Sequence, residues 1–350
     1  MTSNLTLQKF GKLACVDSGP VPGGGTYTTL VIIHGYGWHG AGFQRLLPFA
    51  AKYQVRLVLV NRRDFPGSDP YSLEERAQFS GTAEEAPSRL AEFMCDRAHD
   101  VYDFLTTFIQ QKSIPKRNGD RGGVILSAWS FGGTWVTAFM AHAPSFTGEV
   151  DLTEYIQRAV LYDPPALALG FPFPARTYSP LTDDAIPPAE RPTRFAEWVS
   201  GYFTHGNTEE LLETRTPDTD RTPTILTMTQ DEIRAFFSPG PAGYGGSDHA
   251  LLFLGLTSGA NAHMLERTVY PETSTPSQTQ WSSVPLHYIW CNRSDYEMPW
   301  ASWRLQEYIE KGGSSGRPMR TVSITCLEGA NHFAHWDEPE RLLQALIAAV

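Results

Sequence analysis

Apolar residues follow two rhythms along this chain. Short runs such as Leu30-Val31-Ile32-Ile33, Val124-Ile125-Leu126 and Ala159-Val160-Leu161 are apolar at every position and too short for a helix. That is the pattern of strands buried on both faces of a sheet. Strands are expected near Leu13–Asp17, Leu30–Ile33, Val55–Asn61, Val124–Trp129, Ala159–Tyr162, Leu286–Cys291 and Val322–Cys326. Between them the spacing turns helical, over Gly42–Tyr53, Ala86–Gln111, Gly133–His142, Trp300–Lys311 and Glu338–Val350. In Ala86–Gln111 the residues Leu90, Phe93, Met94, Val101, Phe104 and Phe108 share one face, which suits packing on a sheet. Strands alternating with helices predict an α/β fold, a doubly wound and mostly parallel sheet with helices on both sides.

The middle of the chain breaks this alternation. From about Pro164 to Ser283 it is rich in Pro, Gly, Thr and aromatic residues, without a strand pattern. A structureless insertion of that length is improbable in a compact protein, so a mainly helical cap over residues 165–280 is expected. Residues 1–164 and 281–350 would form the core. Short cap helices are expected at Arg191–Phe203, at Thr208–Thr214 capped by Asn207, and at Gln230–Phe237, where Thr229 and Glu232 form a capping box. The segment from Pro239 to Ser247 reads as a flexible loop of the cap, and Asp248-His249 as an exposed polar pair.

Candidate chemistry begins at Ser130. A strand-like run delivers this serine into Ala128-Trp129-Ser130-Phe131-Gly132, and a helical pattern follows at once. This is the spacing of a nucleophile elbow, where a strained turn exposes the hydroxyl and the next helix offers free N–H groups. Upstream, the strand Leu30–Ile33 runs into His34-Gly35-Tyr36-Gly37. Downstream, Glu328-Gly-Ala-Asn-His332 follows the last strand, with Pro339-Glu340 beyond it. Together these segments resemble the α/β-hydrolase superfamily, from about Leu13 to the C-terminus apart from the middle.

The resemblance implies roles. Ser130 would be the nucleophile and His332 the general base, with an acid between them in chain order. Asp295, in Asn292-Arg-Ser-Asp-Tyr-Glu-Met-Pro299, matches the family's loop after the seventh strand and is the expected acid. Asp163, at the end of the preceding strand, is its rival, and Glu297 is expected to point outward. The N–H groups of Tyr36 and Phe131 would form the oxyanion hole. His34 is read as shaping its loop and His335 as packing beside the base. The His332/His335 pair lacks a third ligand at a familiar spacing, so no metal is expected. A serine at position 130 departs from the epoxide hydrolase and haloalkane dehalogenase branches, which use aspartate.

Aromatic residues beside these loops, Trp38, Trp129 and Trp300 among them, suggest an apolar site that they border, and no Arg or Lys is evidently placed to hold a charged substrate. The expectation is a serine esterase or lactonase: hydrolysis of an ester, lactone or thioester of a hydrophobic small molecule through an acyl-enzyme, with no cofactor. The same triad also serves carbon–carbon bond hydrolases, lyases and acyltransferases, and a receptor-like protein can retain it.

Bulk properties add exclusions. The 350 residues carry a formal net charge of −10, which disfavours nucleic acid and anionic membrane partners. The four cysteines are scattered at positions 15, 95, 291 and 326 and read as reduced small hydrophobes. No signal-like segment opens the chain, so a cytoplasmic location is expected.

Overall fold

Eight strands form one sheet in the spatial order β1-β2-β4-β3-β5-β6-β7-β8. They are β1 (Leu7–Phe10), β2 (Leu13–Asp17), β3 (Thr28–Ile33), β4 (Val55–Asn61), β5 (Val124–Trp129), β6 (Ile156–Tyr162), β7 (Leu286–Cys291) and β8 (Val322–Leu327). The computed structural model describes residues 6–82, 84–314 and 316–349. The start of the N-terminal segment considered above, Met1–Leu5, lies outside the described residues, as does the final residue of the last expected helix, Val350. Pairing is parallel from β4 through β8 and antiparallel at β1·β2 and β2·β4. Strand β1 was not expected: it has only four residues and lies on the sheet edge, with Leu7 exposed, so it leaves almost no apolar signature.

Order reverses at β3. The chain passes from β3 to β4 on one side and then crosses to β5 on the other. The carboxyl ends of β3 and β5 therefore diverge into loops on opposite faces, and the crevice between them is where open α/β sheets bind ligands. Both strands are mainly apolar and, apart from Thr28, buried, which fixes their register and so the positions of His34 and Ser130 just beyond them. The helix Ala86–Lys112 buries the apolar face expected for it and packs against Gly133–His142. It ends at Ser113, whose left-handed backbone (φ 50°) stops the helix. The expected helix Gly42–Tyr53 is instead a run of tighter 3-10 turns over Gly40–Phe49, with Pro48 inside it.

The insertion is helical in pieces. Arg191–Val199 and Gln230–Phe236 form near the expected positions, the latter with the Thr229/Glu232 capping box in place. Residues 208–214 give only one turn, Glu209–Leu211, because Leu212 reverts to extended backbone to bury its side chain. Further helices, Ser247–Ser258, Ala260–Val269 and Pro276–Ser282, were not foreseen. The second packs against Gly133–His142, where Thr268 Oγ1 donates to the Thr137 carbonyl at 2.9 Å. The segment read as a flexible loop includes a short helical turn, Pro239–Ala242, whose Ala242 is buried. Among the described residues no helix is long and apolar enough to cross a membrane.

Candidate functional site

Ser130 occupies the turn between β5 and the helix Gly133–His142 with φ 56°, a left-handed conformation that costs an L-residue energy. Close packing holds it there. A Cβ on Gly35 would lie 2.8 Å from Ser130 Cβ, and one on Gly132 would lie 2.3 Å from the His34 carbonyl oxygen. Glycine at both positions lets the elbow seat directly against the end of β3.

His332 follows β8 and is 2% exposed. Its Nε2 lies 2.9 Å from Ser130 Oγ and its Nδ1 lies 2.7 Å from Asp163 Oδ2. A carboxylate facing Nδ1 keeps the proton there and leaves the Nε2 lone pair to accept the serine hydroxyl. The Trp129 ring lies against the imidazole at 4.8 Å between centroids, and its Nε1 donates to the His332 carbonyl at 3.0 Å. His335 packs among Phe43, Trp129 and Phe333, and burial holds its pKa well below the ordinary value, so it is a neutral packing residue.

The carboxylate beside His332 is thus Asp163 and not the expected Asp295. Asp163 also has a left-handed backbone, φ 49°, just past β6. Its oxygens accept from the Cys291 N–H at 2.7 Å and from Ser294 Oγ at 2.6 Å, so three donors converge on it. Asp295 instead accepts the Glu297 N–H at 3.0 Å, at the start of the helix Glu297–Ser314, and borders the cavity above Ser130. Glu297, expected to point outward, also borders that cavity.

Burial pushes the Asp295 carboxyl up to about 6 from its ordinary 3.8, with the neighbouring His332 pulling it down and Asp163 pushing it up. Because the folded-state pKa is raised, the native chain holds more protons than the unfolded one across that window. The contribution of Asp295 to stability therefore falls as pH rises from about 4 to about 6. Asp295→Asn, which keeps an acceptor for the Glu297 N–H, is expected to stabilise the fold on the order of 2 to 3 kcal/mol above about pH 7. The gain should vanish below about pH 4, and denaturant titrations at the two pH values measure it directly. Equal gains at both would refute a buried, ionised Asp295 at neutral pH.

The cavity has a volume of about 410 Å³. Tyr36, Ser130 and Phe131 border it from the core, and Tyr178, Phe195, Trp198, Leu252 and Phe253 border it from the insertion. Its walls are mainly apolar and aromatic, and Arg215 is the one basic residue among those lining it. Trp38, Trp129 and Trp300, expected at the substrate, do not border it. Trp38 packs against Phe236, Phe237 and Phe333, Trp129 lies against His332, and Trp300 Nε1 donates to the Pro172 carbonyl at 2.7 Å. Each sits beside a motif in sequence, but the bulk of a tryptophan is spent holding the loop in place.

Behind the His34–Gly37 loop lies an ion pair that the sequence did not suggest. Arg62, directly after β4, donates Nη1 to Asp248 Oδ1 and Nη2 to Asp248 Oδ2, both at 2.7 Å, and each side chain is nearly inaccessible. Asp248 is therefore no exposed residue. His34 accepts the Arg62 N–H on Nε2 at 3.0 Å and donates Nδ1–H to the Gly35 carbonyl at 2.9 Å. Burial and the adjacent Arg62 keep its pKa well below the ordinary value, in keeping with a loop-shaping role.

The sequence model described as "Alpha/beta hydrolase family" matches residues 30–345. A search of curated proteins finds no match. Among solved structures, a mutant of epoxide hydrolase from Solanum tuberosum is similar at 14% identity over 97% of each chain, with a TM-score of 0.53. Wild-type Cfl2 from Burkholderia cenocepacia is similar at 13% identity over 95% of this chain and 90% of that one, with a TM-score of 0.52. At such identities the likeness speaks for the fold alone.

Proposed function

This chain belongs to the alpha/beta hydrolase family, and from that premise we propose that it is a serine hydrolase cleaving an ester, lactone or thioester of a hydrophobic small molecule. The observation that carries the reading is the unbroken relay from Ser130 Oγ to His332 Nε2 and from His332 Nδ1 to Asp163. Ser130 attacks the carbonyl carbon while His332 takes its proton. The Tyr36 and Phe131 N–H groups hold the oxyanion, and Asp163 stabilises the imidazolium. His332 then returns the proton to the leaving oxygen or sulfur, and water cleaves the acyl-enzyme by the same route in reverse. All of this uses side chains and backbone of the chain itself, with no cofactor.

The aromatic walls of the cavity support an apolar acyl or leaving group, and its volume suits a small molecule rather than a polymer. Labelling with a fluorophosphonate probe, followed by peptide mapping, tests the reading. The adduct is expected on Ser130 and is expected to be absent from Ser130→Ala, while the native enzyme turns over p-nitrophenyl esters. A folded native protein that neither labels nor hydrolyses any ester, lactone or thioester would overturn it.

A further inference from the structure

The peptide group between Gly35 and Tyr36 is held from behind. Its carbonyl accepts Arg62 Nη2–H at 2.8 Å and His34 Nδ1–H at 2.9 Å. In a trans peptide the N–H points opposite to the C=O, so anchoring the Gly35 oxygen on the Arg62 side aims the Tyr36 N–H away from it. That N–H has no hydrogen-bond partner among the described residues, and Tyr36 borders the cavity together with Ser130. The next peptide is fixed as well, since the Gly37 N–H donates to Asp248 Oδ2 at 2.9 Å. One buried ion pair therefore sets both peptide planes flanking Tyr36. Donors on a carbonyl also polarise its own N–H, which strengthens the hydrogen bond that the N–H can give.

The two partners come from different parts of the chain. Arg62 lies directly after the core strand β4, stacked over the Trp135 ring at 4.2 Å. Asp248 lies in the first turn of the inserted helix Ser247–Ser258, whose Leu252, Phe253 and Leu256 line the cavity. The Tyr36 hydroxyl adds a second tie to the insertion by donating to the Ala242 carbonyl at 2.6 Å.

We propose that Arg62 and Asp248 are positioning residues for the Tyr36 oxyanion donor, so that seating the inserted helix and assembling the oxyanion hole are one event. The inference rests on the serine-hydrolase reading above. A buried pair with several satisfied hydrogen bonds is costly to break from one side, which suits a part whose geometry must not drift.

The test compares Asp248→Asn and Arg62→Lys with the native enzyme on p-nitrophenyl butyrate. Asparagine keeps the shape but loses the charge, and lysine keeps the charge but cannot make the bidentate contact. Each is expected to lower kcat roughly 30- to 100-fold with KM changed less than about threefold, because the lost stabilisation is felt at the oxyanion. Affinity for a trifluoromethyl ketone, whose tetrahedral adduct carries the same oxyanion, should weaken by the factor lost in kcat/KM. A purely structural pair would instead lower the melting temperature or raise KM, with kcat and ketone affinity in proportion to native; that result in either folded variant overturns the inference. If the native enzyme itself neither hydrolyses the ester nor binds the ketone, it is the serine-hydrolase reading that has failed.

Discussion

On the serine-hydrolase proposal, Asp163→Asn is expected to lower kcat for an ester about 10⁴-fold, roughly 5.5 kcal/mol of transition-state stabilisation, while KM moves only a few fold. The reason is a proton count around one side chain. Asp163 Oδ1 takes the Cys291 N–H, and Oδ2 takes both the Ser294 hydroxyl and His332 Nδ1–H. An asparagine that kept its oxygen on the Cys291 N–H would turn its amide nitrogen toward His332. Two N–H groups cannot face each other, so the imidazole would move its proton to Nε2 and present a donor to Ser130 where an acceptor is needed.

The informative control is Asp295→Asn, which should retain kcat within about tenfold, because its amide would face the Glu297 N–H and the cavity rather than Nδ1. Steady-state kinetics on both variants decide between the two carboxylates. Loss at Asp295 exceeding that at Asp163 would return the acid's role to the residue that the motif first suggested.

That contest also marks what the sequence could disclose. The strand–loop junctions at Ser130 and before His332 were legible because the first follows an apolar run that implies a buried strand and the second an alternating run that implies a half-buried one. The acid was not. Strands β6 and β7 are parallel neighbours, with Tyr162 beside Ile289, so the loops after both leave the same end of the sheet and bring a carboxylate into the neighbourhood of His332. The choice rests on backbone geometry: a positive φ swings Asp163 across immediately after β6, whereas Asp295 comes four residues after the end of β7 and accepts a helix N–H instead. Nothing in residue type or spacing separates those outcomes.

The insertion was legible only in part for a different reason. Capping boxes are local, so Gln230–Phe236 could be read from Thr229 and Glu232. The helix Ser247–Ser258 has apolar residues on all sides and no side-chain cap, so it offers no periodicity to detect. Asp248 looked like a surface residue because its partner, Arg62, is 186 positions away. A buried ion pair at that separation is a property of the fold alone, and a cavity wall built from insertion residues such as Tyr178, Phe195 and Trp198 is hidden in the same way.

Gly132→Ala should be severely damaging, destabilising the chain by more than about 3 kcal/mol and abolishing the proposed ester hydrolysis in whatever fraction folds. Its backbone angles are ordinary, φ −58°, so the penalty is not conformational. It is steric: a methyl group would sit 2.3 Å from the His34 carbonyl oxygen and 3.1 Å from the Ile33 oxygen. Both belong to backbone at the end of β3, which pairs with β4 and β5 on either side and cannot retreat without disturbing the sheet. Moving the elbow instead would shift Ser130 away from His332 and the Tyr36 N–H. The neighbouring Gly133→Ala separates this effect from a general intolerance of the helix start. There the nearest atom is Pro164 Cβ at 3.1 Å, a contact that a few tenths of an ångström relieve, and alanine gains up to about 1 kcal/mol of helix propensity. Denaturant midpoints of the two variants should therefore diverge, Gly133→Ala staying near native and Gly132→Ala falling far below. If Gly132→Ala instead matched the native protein in stability and activity, the elbow could not be wedged against β3, and the alignment of Ser130 would need another cause.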